Sequence, residues 1–277
     1  MSRSVIARHR GISLAAILAG AALVAWLLLG GDDLRGADLE TIEVRSEAVG
    51  RALPVSVVTP DGAEGEERPL LVFLHGRDGD EESGLTDEMY AALDEQGDAA
   101  PVVAFPDGGG ASFWHDRADG EWGRYVAEEV VAEVSERFSV DEDRVAIGGI
   151  SMGGFGALNL ARLYPDRFCA VGGHSAALWR TAGETAAGAF DDPEDFARND
   201  VIASAFADPS IYAGRPVWID AGEDDPFLPA IENFEQALEM AGVDLSARTY
   251  PGGHESEYWA QHWDEYLRFY AGALSRC

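Results

Sequence analysis

The chain has 277 residues, enough for a short leader and one large domain with a well-buried core. Its 50 acidic and 20 basic residues give a formal net charge of −30, which argues against nucleic-acid binding because a phosphate backbone requires a basic surface. Every basic residue is an arginine, and the absence of lysine excludes Schiff-base chemistry, a Ser–Lys dyad and a phosphate-binding P-loop.

The N-terminal segment has the pattern of an export signal. Three arginines within the first ten residues precede an uncharged, mostly apolar run over residues 11–31. A run of about 20 apolar residues is long enough to cross a bilayer as a helix. We therefore predict that residues 1–31 are a signal peptide or, as the length of the run favours, an uncleaved membrane anchor. The domain is then extracytoplasmic, either secreted or anchored to the cell membrane through this segment only.

Behind the leader we predict a polar linker over residues 32–45 and one folded domain over residues 46–277. Seven short apolar runs in that domain predict strands. From the second onward they are continuously apolar, as expected for strands buried on both faces of a parallel sheet. The seven runs begin at Ala52, Pro69, Pro101, Arg144, Phe168, Pro216 and Ser246.

Helical patterns lie between these strands. They begin at Thr86, Glu121, Met152, Ala230 and Glu257. The alternation predicts an α/β protein with a mostly parallel, doubly wound sheet flanked by helices. The segment 177–215 breaks the alternation and is long for a loop inside a compact domain, so we predict a cap-like insertion there.

The most informative stretch is the strand-to-helix turn at residues 149–153, Gly-Ile-Ser-Met-Gly. It matches the pattern G-x-S-x-G, in which a turn too sharp for bulky neighbours lifts a serine hydroxyl above the carboxyl ends of the strands. The adjoining helix N-terminus favours negative charge at that point. The pattern therefore predicts that Ser151 is a nucleophile.

A serine nucleophile needs a histidine base and an acid that orients it. Among the six histidines, His254 lies in a glycine-rich loop between the last strand and the last helix, and we predict that it is the base. The loop after the preceding strand supplies the acid, with Asp225 favoured over its neighbour Asp224. The chain order serine, aspartate, histidine is that of α/β-hydrolases.

Other residues are predicted to stabilise or contact the substrate. The backbone N–H groups of Met152 and Arg77 are the candidates for an oxyanion hole, because one follows the serine and the other follows an early strand. His75 and His174, each at the end of a strand, are predicted to line the substrate pocket. His262, within the last helix, is predicted to be a packing residue.

Two cysteines are too few for the network of several disulfides that holds small secreted domains together. Cys169 lies in a predicted buried strand, and Cys277 is the last residue. We expect Cys169 to be a free thiol that behaves as a small apolar group, with a bridge to Cys277 as the less favoured alternative.

Four stretches resemble the esterase D and feruloyl esterase-like family of α/β-hydrolases, to which the mycobacterial mycolyltransferases are related. They are LVFLHGRDGDE, RVAIGGISMGGFGALNLARLYPDRFCAVGGHSAAL, DAGEDDPF and PGGHESEYW. The resemblance implies a serine hydrolase without metal or cofactor, in which Ser151, His254 and Asp225 form the catalytic triad. It also nominates Trp114, in the loop before a long helix, as a substrate contact.

These observations predict a carboxylic ester hydrolase that acts on a small-molecule, lipid or carbohydrate ester. One alternative is a mycolyl-type acyltransferase, in which a sugar hydroxyl replaces water, and another is an inactive binding protein that retains the hydrolase fold. The acidic clusters lack histidine at ligand spacing, so no metal site is predicted. The sequence identifies neither the ester nor an oligomeric state.

Overall fold

A computed structural model describes residues 36–62 and 67–277 of the chain. The predicted leader over residues 1–31 lies outside these described residues. Within the part that is described, no helix has the length and apolar character needed to span a bilayer.

A central sheet of eight strands forms the middle layer, in the order β1-β2-β4-β3-β7-β8-β9-β10. β2 pairs antiparallel with both β1 and β4, and all other neighbours in the sheet are parallel. A separate hairpin pairs β5 with β6. The strands are β1 Ala37–Ser46, β2 Arg51–Pro60, β3 Arg68–Leu74, β4 Val102–Pro106, β5 Asp116–Arg117, β6 Gly120–Glu121, β7 Val140–Ile150, β8 Ala170–His174, β9 Val217–Gly222 and β10 Leu245–Tyr250.

The predicted strands are all present, and β4, β8 and β9 are buried at every position. This burial explains why their sequences are apolar without alternation. The parallel strands end at one edge of the sheet, so the loops after β3, β7, β9 and β10 converge there.

Residues 32–45 were expected to be a linker, but most of this segment is the edge strand β1, whose pairing with β2 runs from Ala37 opposite Pro60 to Ser46 opposite Arg51. From Ile42 to Ser46 the strand alternates, with Ile42, Val44 and Ser46 buried and Glu43 and Arg45 exposed. A period of two residues is typical of a strand with one face in solvent. The charged side chains on the outward face make the segment polar on average, and that polarity led to the prediction of a linker.

Helices cover the sheet. They are α1 Asp87–Asp94, α2 (made of Trp122–Arg124, a π-helical turn Tyr125–Val130 and Val131–Phe138), α3 Met152–Leu163, α4 Pro193–Arg198, α5 Val201–Ala207, α6 Leu228–Ala241, α7 Ser256–Gln261 and α8 Trp263–Leu274. The side chain of Thr86 caps α1, as a threonine before a helix predicts, and Gly242 ends α6 in the left-handed conformation. The single helix expected at the C-terminus is broken into α7 and α8 at His262, whose ring stacks on Tyr250.

The insertion over residues 177–215 contains α4, α5 and short 3₁₀ turns but no strand, as predicted. It is held to the loop before α2 by polar contacts. Buried Asp195 accepts a hydrogen bond from His115 Nε2 at 3.0 Å, and Asp191 accepts from the Arg117 guanidinium at 2.8 Å. These hydrogen bonds join the insertion to the rest of the domain, because each pairs a carboxylate of the insertion with a donor outside it.

The expectation of a free thiol at Cys169 is wrong, because Cys169 and Cys277 form a disulfide. Their Cα atoms are 5.9 Å apart. The bridge fixes the C-terminal end of α8 beside the start of β8. The chain folds back over the sheet through α8, so the last residue is held in place although it follows the final helix.

Candidate active site

The turn between β7 and α3 has the sharp geometry that its sequence predicts. Ser151 adopts φ 56° and ψ −112°, a strained conformation for a residue with a side chain. A Cβ added at Gly149 would lie 2.5 Å from the carbonyl carbon of Gly153, and one added at Gly153 would overlap the carbonyl oxygen of Leu74. The two flanking positions therefore require glycine for steric reasons.

Three side chains from three loops meet at this turn. The Nε2 atom of His254 lies 2.8 Å from Ser151 Oγ, and its Nδ1 atom lies 2.9 Å from Asp225 Oδ2. The Asp225 side chain is fully buried, and its other oxygen accepts the backbone N–H of Phe227 at 2.8 Å. Asp224 is exposed, so the geometry favours Asp225 of the two aspartates.

Backbone contacts hold the aspartate loop against the histidine loop. The N–H of Glu223 donates to the carbonyl of Tyr250, and the N–H of Asp224 donates to the carbonyl of Gly252. A Cβ added at Gly222 would overlap that same carbonyl oxygen of Gly252. The close approach of the two loops brings their side chains within hydrogen-bond distance of each other.

A buried carboxylate lies beneath these loops. Asp220 Oδ2 accepts hydrogen bonds from the hydroxyls of Tyr258 and Tyr266, each at 2.9 Å. Its Oδ1 accepts from Trp218 Nε1 and from His174 Nδ1. Burial, together with the Asp220 charge, raises the pKa of both tyrosine hydroxyls, so they stay protonated as donors. The network links α7 and α8 to β9.

His174 was expected to line the pocket, but it belongs to this network. Its side chain is completely buried between Asp220 and the Tyr270 hydroxyl, which lies 2.9 Å from Nε2. The side chain of a histidine at the end of a strand can point toward the loops or into the layer of helices. The sequence around His174 is compatible with both directions, so it does not show which one the side chain takes.

His75 supports the loop that carries Arg77. Its Nδ1–H donates to the Gly76 carbonyl at 2.7 Å, and its Nε2 accepts from the backbone N–H of Gly108 at 3.0 Å. Burial lowers the pKa of His75, which favours this neutral form. The ring lines a neighbouring cavity rather than the one at Ser151.

Trp114, expected as a substrate contact, is completely buried and donates its indole N–H to the carbonyl of His75 at 3.2 Å. Its neighbour Phe113 faces the cavity instead. Both residues have positive φ, 57° at Trp114 and 51° at Phe113. A sequence pattern does not reveal such backbone conformations.

A cavity of about 330 Å³ opens at Ser151. The Gly76–Asp78 loop and Met152, which include both residues predicted for the oxyanion hole, are among the residues that line it. The sequence analysis did not predict the remaining residues of the cavity wall, which are Phe113, Ala177, Trp179, Ala186, Phe227 and Trp259. Two of them, Phe227 and Trp259, follow Asp225 and His254 closely in the chain.

The model of the Esterase family, described as "Putative esterase", matches residues 46–270. The chain belongs to this esterase family. The match confirms the predicted carboxylic ester hydrolase and the predicted resemblance.

Individual relatives agree with the family match. The chain is 26% identical over 224 residues to the S-formylglutathione hydrolase of Paracoccus denitrificans, covering 71% of this chain and 78% of the relative. It is 27% identical over 258 residues to the diacylglycerol acyltransferase/mycolyltransferase Ag85B of Mycobacterium leprae, covering 80% and 76%. A solved ferulic acid esterase aligns with a TM-score of 0.75 and 24% identity over 86% of this chain and 98% of its own, which confirms the α/β-hydrolase fold.

Proposed function

We propose that this esterase is a serine hydrolase that cleaves carboxylic esters through an acyl-enzyme intermediate. One observation carries the proposal: the continuous hydrogen-bond path from Ser151 Oγ through the His254 ring to the buried Asp225 carboxylate, with lengths of 2.8 and 2.9 Å. Nucleophile, base and orienting acid in contact are what acyl transfer from a serine requires.

In the proposed reaction Ser151 Oγ attacks the ester carbonyl carbon while His254 Nε2 takes the hydroxyl proton. Asp225 stabilises the resulting imidazolium through its hydrogen bond to Nδ1. The backbone N–H groups of Met152 and Arg77 donate to the negatively charged oxygen of the tetrahedral intermediate. The imidazolium then gives its proton to the departing alcohol. His254 then takes a proton from water, and the oxygen of that water attacks the acyl carbonyl carbon. The bond from that carbon to Ser151 Oγ breaks, the imidazolium returns its proton to Oγ, and the carboxylic acid leaves.

Transfer of the acyl group to a sugar hydroxyl is the second candidate, since one relative is a mycolyltransferase. We favour hydrolysis of esters with short acyl groups. The cavity at Ser151 has a volume of about 330 Å³, which is near the lower end of the range of roughly 300–1,000 Å³ for ligand pockets. A cavity of this size has room for a short acyl group but not for a long acyl chain. A sugar added in excess during turnover tests the alternative, because transfer would yield an acylated sugar detectable by mass spectrometry.

We also propose that the domain works outside the cytoplasm, secreted or anchored by residues 1–31. The Cys169–Cys277 disulfide supports this location, because such bridges persist in oxidising compartments. Cell fractionation with an antibody to the domain tests it, and recovery in the cytoplasm would contradict it.

Turnover of p-nitrophenyl esters from acetate to laurate tests the proposed chemistry. We expect Ser151→Ala to lower kcat/KM at least about 1,000-fold, and a fluorophosphonate to label the wild-type serine alone. If the wild type neither hydrolyses any ester nor reacts with the fluorophosphonate, the serine-hydrolase proposal is wrong and the inactive binding protein replaces it.

A further inference from the structure

A second cavity of about 240 Å³ lies next to the one at Ser151. It is a slot between the Gly76–Asp78 loop and the helices α7 and α8, and most of its lining is apolar although His75, Ser83 and Ser256 also face it. Phe73, Phe105 and Trp263 form one contiguous aromatic cluster there, with ring centroids 4.6 to 6.4 Å apart. Ile150, directly before the nucleophile, also lines it.

The slot and the Ser151 cavity share a wall. The Gly76–Asp78 loop and Trp259 line both. The loop is thin where it passes the nucleophile, since a Cβ added at Gly76 would lie only 3.6 Å from Ser151 Cβ. Trp259 packs edge-on against His254, with centroids 5.1 Å apart and an interplanar angle of 89°. The Gly76–Asp78 loop and Trp259 are therefore the boundary between the Ser151 cavity and the slot.

Apart from the shared wall, the two cavities are lined by different residues. Trp179 and Phe113 line the Ser151 cavity but not the slot. Residues that follow His254, such as Ser256 and Ala260, line the slot. In ester cleavage the imidazole gives its proton to the departing alcohol, so the alcohol oxygen lies beside His254. His254 itself lines the Ser151 cavity, and Trp259, which packs against its ring, lines both that cavity and the slot. An alcohol beside His254 therefore has the slot next to it.

We propose that the slot binds the alcohol part of the ester and selects alcohols that carry a phenyl-sized apolar group. This assignment rests on the proposed function. An apolar cavity of roughly 150 Å³ binds benzene, so about 240 Å³ accommodates a phenyl ring with a short spacer to the ester oxygen. The acyl group then occupies the cavity lined by Phe113 and Trp179.

The proposal predicts the order of two esters that share one acyl group. Benzyl acetate should have a kcat/KM at least about tenfold above that of methyl acetate, because burying a ring removes apolar area from water. Benzyl alcohol should inhibit competitively against methyl acetate, whereas methanol at the same concentration should not.

A matched pair of variants separates the two cavities. Ala260 lines only the slot and Ala186 only the Ser151 cavity, so leucine at each position fills one of them. Ala260→Leu should lower the benzyl-to-methyl ratio of kcat/KM at least about fivefold. Ala186→Leu should leave that ratio within about twofold, because it changes the fit of the acetyl group that both esters share.

A binding measurement removes the dependence on turnover. In saturation-transfer NMR, benzyl alcohol should bind Ser151→Ala and should bind Ser151→Ala/Ala260→Leu at least about fivefold more weakly. If esters are hydrolysed but wild type shows no benzyl preference, or benzyl alcohol binds both variants equally, the slot assignment is wrong while the proposed function stands. If no ester is hydrolysed, the proposed function fails and the assignment to an alcohol fails with it.

Discussion

Replacing Asp225 by asparagine tests the triad with the smallest change in shape. One oxygen of Asp225 accepts the backbone N–H of Phe227 at 2.8 Å and the other faces His254 Nδ1 at 2.9 Å. The amide oxygen of the introduced asparagine must stay on the Phe227 side, since an NH₂ group there would face another donor. The NH₂ group is therefore directed at His254.

An NH₂ group opposite Nδ1 favours the imidazole tautomer that carries its proton on Nε2. In that tautomer Nε2 donates toward Ser151 Oγ and no longer accepts the serine proton, although the 2.8 Å contact is preserved. Loss of the correct tautomer at such a site lowers kcat by about 10,000-fold, which corresponds to about 5.5 kcal/mol. KM should change little, because Asp225 does not line the cavity at Ser151.

Steady-state hydrolysis of p-nitrophenyl acetate by Asp225→Asn measures this effect, with a melting curve to show that the variant folds. Asp224→Asn is the control, because Asp224 is exposed and should keep kcat within about twofold. If Asp225→Asn retained a tenth of the wild-type kcat, or Asp224→Asn lost more than Asp225→Asn, the assignment of Asp225 as the orienting acid would be refuted.

Three further changes test the scaffold. Cys277→Ser opens a bridge between residues 108 apart in the chain, and should lower the free energy of unfolding by about 2–4 kcal/mol and Tm by roughly 10 °C; an unchanged Tm would show that the bridge is absent in solution. Gly153→Ala places a methyl group on the carbonyl oxygen of Leu74 and should abolish activity or folding, whereas an active, stable variant would contradict the described turn. Burial lowers the pKa of His75 from 6.5, so the unfolded chain takes up a proton that the folded chain does not, and stability present above pH 6.5 falls as the pH decreases. The free energy of unfolding should fall less between pH 7 and pH 5 in His75→Gln than in the wild type. The same fall in both proteins would refute the contribution of His75 to the pH dependence of stability.

Local sequence signals predicted most of the framework. The strands β3, β4, β8 and β9 were identified because burial on both faces demands nearly continuous apolar runs. The turn at Ser151 was identified because its geometry admits only glycine at two neighbouring positions. Such signals act within a few residues of chain, so one sequence is enough to detect them.

The misassigned residues depend on contacts between distant segments. His174 and the acid side chain of Asp220 are 46 residues apart, yet the nearest oxygen and nitrogen lie 2.7 Å from each other in the core. Trp114, expected to contact the substrate, is buried, and its neighbour Phe113 lines the cavity instead; both have positive φ. The disulfide brings together cysteines 108 residues apart, which chain composition alone does not pair.

The sequence by itself determined the fold class, the sharp turn at Ser151 and the chain order of the serine, the aspartate and the histidine that meet there. It did so because strand burial and a strained turn restrict the local choice of residues. Only the tertiary structure brought Asp225, and not the exposed Asp224, into contact with His254, directed His174 into the core and opened a slot beside the Gly76–Asp78 loop. Those outcomes depend on which loops meet at the carboxyl edge of the sheet, and that meeting is a property of packing among segments far apart in the chain.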